Sequence, residues 1–136
     1  MGTYKILDDY TADIGIEIEA DDLEDLVATL IKALNDLVFQ DEFKVHEKET
    51  VETFSYSYDN GLFVIDFLND LIYILETKNL APIMVKEVKL DDNNVLITLV
   101  LKKYLSKPSI QLKAATYHDF YFHKNKSIRT RIVFDL

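Results

Sequence analysis

The chain has 136 residues, with 24 Asp and Glu against 15 Lys and Arg, a formal net charge of −9, and 49% of its residues are hydrophobic. One domain over residues 1–136 with a sizeable core is expected, and disorder is excluded. The charge opposes tight direct binding to nucleic-acid phosphates, the absence of Cys removes disulfides, thiolate metal sites and a cysteine nucleophile, and the lack of any long apolar run or leader predicts a cytoplasmic protein with no membrane contact.

In chain order, residues 14–18 alternate apolar side chains with small or charged ones, which predicts a strand with one buried face, ending at Ala20. Asp21 with Glu24 three residues on reads as a capping box. Leu23, Leu26, Val27, Leu30, Ile31, Leu34, Leu37 and Val38 then keep the three-and-four spacing of one helix face. Residues 45–58 carry Thr, Val, Phe and Tyr without a helical period and predict a long strand, closed by a turn at Asp59, Asn60 and Gly61. A second helix follows, with Val64, Phe67, Leu68, Leu71, Ile72 and Leu75 on one stripe, Ile65, Tyr73 and Ile74 widening the buried face, and Asn79 closing it. Beyond Pro82 the chain turns to strands: 83–90 and 95–103 as a hairpin, a polar break at 106–109, then 110–123 and 127–134 as a second hairpin. With three Gly and two Pro in all, no linker divides this order. It predicts an α+β fold, an antiparallel or mixed sheet with the two helices packed on one face.

Three segments could carry chemistry: residues 9–16, 113–118 and 133–136. Asp13 stands where a strand begins, a place where Asp is more often a turn former than a ligand. Asp135 is carried into the fold by the strand-like Ile132, Val133 and Phe134, and Leu136 adds its own carboxylate. If the first and last strands are neighbours, these three groups make an oxygen-rich pocket of the kind that Ca²⁺, Mg²⁺ or Mn²⁺ prefer, and without a cation they repel one another. Lys113 and His118 have opposite strand parity and face opposite sides unless a bulge intervenes. Lys113 reads first as a solvated edge residue. The three histidines, at 46, 118 and 123, lack metal spacing, so His118 reads as solvent-facing before it reads as a base or ligand. The aromatic residues of 55–58 and 117–122 are strand formers before they are a base-stacking platform. Acids crowd the first 60 residues and bases gather after Leu101, an asymmetry that a protein partner could read. No phosphate loop, nucleophile elbow, H-E-x-x-H or calcium loop occurs, and no spacing selects a triad, so nothing supports an enzyme acting alone.

Taken together, residues 9–16 (Asp-Tyr-Thr-Ala-Asp-Ile-Gly-Ile), the helix start at 64–71, the Lys-Ala-Ala-Thr-Tyr-His of 113–118 and the closing Val-Phe-Asp-Leu of 133–136 resemble the archease family. The resemblance spans nearly the whole chain and rests on the combination and order of motifs. It implies a role in tRNA splicing: assisting the GTP-dependent RNA ligase that joins 2′,3′-cyclic-phosphate or 3′-phosphate ends to 5′-hydroxyl ends, by promoting guanylylation of a ligase histidine and its turnover, without being a ligase itself. The partner so implied is that ligase, and tRNA is met only through it. The implied metal ligands are Asp13, Asp135 and the Leu136 carboxylate, with Ca²⁺ as the ion, and Lys113 matches the family's functionally important lysine. Thr11 and His118 fall inside the matching motifs. The family's histidine before Thr-Ala-Asp is Tyr10 here, and residues 101–109 differ from the Gly/Asp-rich loop of relatives. A general chaperone or scaffold whose metal only ties the termini is the alternative. A metal-dependent hydrolase would need an open coordination position and turnover without a partner.

Overall fold

In a computed structural model the structure describes residues 1–8, 10 and 12–136. Strand β1 spans Thr3–Leu7 and β2 spans Asp13–Ala20; they precede helix α1, Leu23–Val38. Strand β3 covers Val45–Ser57, a single 3-10 turn Asp59–Gly61 leads into helix α2, Phe63–Thr77, and β4 (Leu80–Asp91), β5 (Asn94–Tyr104), β6 (Ala114–Lys124) and β7 (Ile128–Asp135) complete the order. The strands form two antiparallel sheets, the first in the order β1-β2-β7-β6 and the second β3-β5-β4. The fold is α+β, as the alternation of elements predicts.

Both helices are apolar over most of their circumference, and that places them between the sheets. Helix α1 leaves mainly Glu24, Ala28 and Lys32 in solvent, and it packs on β2 of the first sheet and β4 of the second. Helix α2 packs likewise on β6 and on β3 and β4. Each sheet therefore offers one face to the helices. Ile16, Ile132 and Phe134 of the first sheet and Ile97, Leu99 and Leu101 of the second meet Leu30, Leu34, Phe67 and Leu71 of the helices in one core. Each such side chain contributes roughly 1.5–3 kcal/mol by leaving water.

Several local expectations shift. The cap of α1 is Asp22, not Asp21: its Oδ1 accepts from the Asp25 amide at 2.8 Å, while the Asp25 carboxylate accepts from the Asp21 amide at 2.9 Å. The box is displaced by one residue because Asp22 also has the extended backbone a cap needs. Asn79 closes α2 in the left-handed conformation, φ 55°; Ile65 and Ile74 widen its buried face as expected, but Tyr73 is 62% exposed, because it lies on the side of the helix away from both sheets. Strand β4 begins at Leu80 and contains Pro82, which costs no ladder bond because β4 is an outer strand. Residues 110–113 are not part of β6, which starts at Ala114. The segment before it is held to the end of α1 instead, the Ser109 amide donating to the Val38 carbonyl at 2.6 Å. Strand β1 has no counterpart in the sequence reading. At the turn into α2, Gly61 has φ 94° and a Cβ there would stand 2.1 Å from the Phe122 ring, so only glycine fits.

Candidate functional site

The outer face of the first sheet is set by register. Asp13 is paired with Asp135 across β2 and β7, and Ala114 of β6 stands on the other side of Asp135. The next row on that face is Leu7, Gly15, Val133 and Thr116; after it come Lys5, Glu17, Arg131 and Tyr121. Residues opposite each other on neighbouring strands share a face, so the two carboxylates sit side by side. The first strand, β1, is not the neighbour of β7; the strand beside β7 is β2, the one read first in the sequence, and that pairing is what brings Asp13 opposite Asp135. Leu136 follows directly and is 42% exposed. Among the described residues, neither Asp13 nor Asp135 is in a salt bridge with a Lys, Arg or His. Like charges directly opposite on a sheet destabilise it, and an oxygen-only donor set of this kind suits a hard cation. A third His, Asp or Glu does not join them among the described residues.

Lys113 adjoins this pair through its backbone, its amide donating to the Asp135 carbonyl at 2.9 Å, while its side chain is exposed. It precedes β6 instead of standing on it. Thr11, and Asp9 of the same motif, lie outside the described residues. His118 is elsewhere, on a wide bulge. Thr116 pairs with Val133 and Tyr121 with Arg131, so residues 117–120 all stand opposite the single Ile132, with Asp119 at φ 52°. The bulge ends the strict alternation that parity arguments need. The exposed His118 has its Nε2 3.7 Å from Asp119 Oδ2 and its ring edge-on to Tyr10 at 5.9 Å.

Tyr10, at the position where the resembling family carries histidine, anchors the bulge. Its hydroxyl donates to Asp119 Oδ2 at 3.0 Å. Its ring lies over Gly15, where a Cβ would come within 3.0 Å of Tyr10 Cε2. Desolvation first, and then the Asp119 carboxylate, push the Tyr10 hydroxyl above its ordinary pKa.

Farther along the face lies a network that the sequence reading missed. Arg131 Nη2 and the Tyr121 hydroxyl both donate to Glu17 Oε2 at 2.9 Å, and the guanidinium sits 5.1 Å from the Tyr121 ring centre. These hydrogen bonds, Arg131's first, hold the Glu17 carboxyl below the usual range. Arg129 Nε donates to Glu19 at 2.7 Å in the next row. The signal was present in the two-residue spacing of Glu17 and Glu19 against Arg129 and Arg131. Early acids and late bases are thereby interleaved on one face, so these arginines do not form a separate basic pole. Of the aromatics weighed for base stacking, Tyr58 and Phe122 pack with Phe63 at 5.8 and 6.4 Å against the core, the strand-former reading.

The profile of the Archease protein family (MTH1598/TM1083) matches residues 4–136. Among solved structures, the chain is similar to an archease from Thermotoga maritima described as a possible chaperone: 26% identity, 93% of each chain covered, TM-score 0.66. It is also similar to protein 1598 of Methanobacterium thermoautotrophicum, at 21% identity over 98% of each chain with a TM-score of 0.70, a likeness of fold. No curated protein matches the sequence. No helix among the described residues is long and apolar enough to cross a membrane.

Proposed function

The chain belongs to the Archease family, and from that premise we propose that it is a tRNA-splicing accessory protein that activates the GTP-dependent 3′-phosphate/5′-hydroxyl RNA ligase. In this reading it promotes guanylylation and multiple turnover of the ligase and is not itself catalytic. The observation that carries the reading is the in-register pairing of Asp13 with Asp135: two like charges side by side with no cationic side chain bridging them among the described residues. Asp13, Asp135 and the Leu136 carboxylate would hold a divalent cation, with Ca²⁺ favoured and Mg²⁺ or Mn²⁺ as alternatives. When bound, the ion would neutralise the pair and supply a hard Lewis-acid charge where the two inner strands of the first sheet end. The residues themselves shape what can approach. Lys113, whose amide is tied to the Asp135 carbonyl, is the cation that would meet a phosphate or an acidic group at the mouth of the partner's active site. Tyr10 and Asp119 fasten the bulge over the adjoining rows.

The test is RNA joining by the cognate ligase under single- and multiple-turnover conditions, with wild type and Asp135→Ala. Stimulation by wild type and its loss in a folded Asp135→Ala support the reading. Full stimulation by Asp135→Ala would sink it. The second reading, a general chaperone or scaffold, has support in the description of the similar Thermotoga maritima protein as a possible chaperone. There the cation is a clasp between β2 and β7, and changing Asp13 or Asp135 lowers thermal stability without a selective effect on ligation.

A further inference from the structure

Apart from the carboxylate pair, a groove of about 580 Å³ runs between α1 and the outer strand β4. Its apolar lining includes Ile31, Val85, Phe43 and Met84, the last two 39% and 51% exposed. The strand is irregular here: Pro82 pairs with Leu101 and Met84 with Val100, so Ile83 is skipped. Asn35 also lines the groove and is 8% exposed. Its Nδ2 donates to the Pro82 carbonyl at 2.7 Å, and its buried Oδ1 has no partner among the described residues. Asn35 thus ties α1 to the irregular stretch of β4 at the floor of the groove.

Charge points the same way. The charged residues of the lining are Glu24, Lys32 and Asp36, and Lys32 is engaged by Asp36 at 2.9 Å. Glu24 borders the groove without an ion pair among the described residues. Among the described residues the lining thus offers exposed apolar side chains beside one unpaired carboxylate, Glu24, so its complement is an apolar anchor with a cation beside it. We propose that this groove docks a short segment of a protein partner that presents an apolar side chain flanked by Lys or Arg. Nucleic acid would bring further negative charge. A second copy, itself at −9, would be repelled, and its Arg129 and Arg131 are already paired with Glu19 and Glu17.

The test titrates the isotope-labelled full chain with two short synthetic peptides that differ only in having Arg or Glu on either side of a central Leu-Phe pair. The Arg peptide is expected to bind at least about tenfold more tightly, to weaken as salt is raised, and to shift the Asn35 side-chain amide and Met84 methyl resonances. Glu24→Gln and Met84→Ser change exposed side chains, leave the protein folded with a cooperative melting curve, and each weaken the Arg peptide by about threefold. Equal binding of both peptides, no binding at millimolar concentration, or shifts confined to Asp13 and Asp135 overturns the proposal. A concentration-dependent dimer in sedimentation that Met84→Ser abolishes assigns the groove to a second copy and overturns it too.

Discussion

Asp13 and Asp135 face each other across the β2–β7 ladder, and their mutual repulsion has an expected thermal signature. In chelator, Asp135→Asn should melt at or above the wild-type temperature, because one of two facing charges is gone. With Ca²⁺ at a hundred times its dissociation constant, wild type should gain about 2.7 kcal/mol and Asp135→Asn clearly less; equal gains, read by differential scanning fluorimetry, would refute cation binding at this pair. Glu17 gives a prediction in acid. Its carboxyl is depressed in the folded state by Arg131 and then Tyr121, so its contribution to stability is full above the unfolded value of about 4.3 and is lost as pH falls through the lower folded value. Glu17→Gln should therefore destabilise the protein at neutral pH and flatten the acid side of its stability profile, as measured by urea unfolding from pH 7 down to about pH 3. Gly61→Ala should cost at least about 2 kcal/mol, since a left-handed backbone and the Phe122 ring both oppose a Cβ.

At the level of elements, edges and caps govern what could be read from sequence. Helices α1 and α2 were legible because their periodicity runs over four turns, and β2, β5 and β7 because each keeps a buried face. Strand β1 escaped notice: five residues at a sheet edge, mostly exposed, carry no alternation worth the name. The wide bulge in β6 was illegible for a different reason, since residues 117–120 look like continuous strand formers and only pairing to β7 displays the excess. Asp13 and Asp135 were legible as candidate residues because both flank recognisable strands, but their facing one another, like the Glu17–Arg131–Tyr121 network, required knowing that β2 and β7 are partners. Every outer strand is guarded against further pairing. The edge strand β1 is short, β3 carries His46, Glu47, Lys48 and Glu49, β4 has Pro82 and two register shifts, and β6 has its bulge. The displaced cap makes its own prediction: Asp22→Ala should cost about 1 kcal/mol and Asp21→Ala less, compared by denaturant midpoints at constant m.

For the molecule as a whole, the first sheet is closed by long-range pairing. Strand β7 has β2 on one side and β6 on the other, so a chain ending at residue 127 should lose the cooperative melting transition altogether and not merely the carboxylate site, a result that circular dichroism would read directly. With so many distant partners, refolding is expected in milliseconds to seconds, slower than a helical bundle of this size.

The position of β7 between two earlier strands also bears on the order in which the protein is made. Until residues 128–135 have left the ribosome, α1, α2 and the second sheet can assemble, but β2 and β6 have no common neighbour and Asp13 faces no second carboxylate. Any cation site built from this pair comes into being in the same event that closes the sheet, so an unfinished chain cannot present it to a partner.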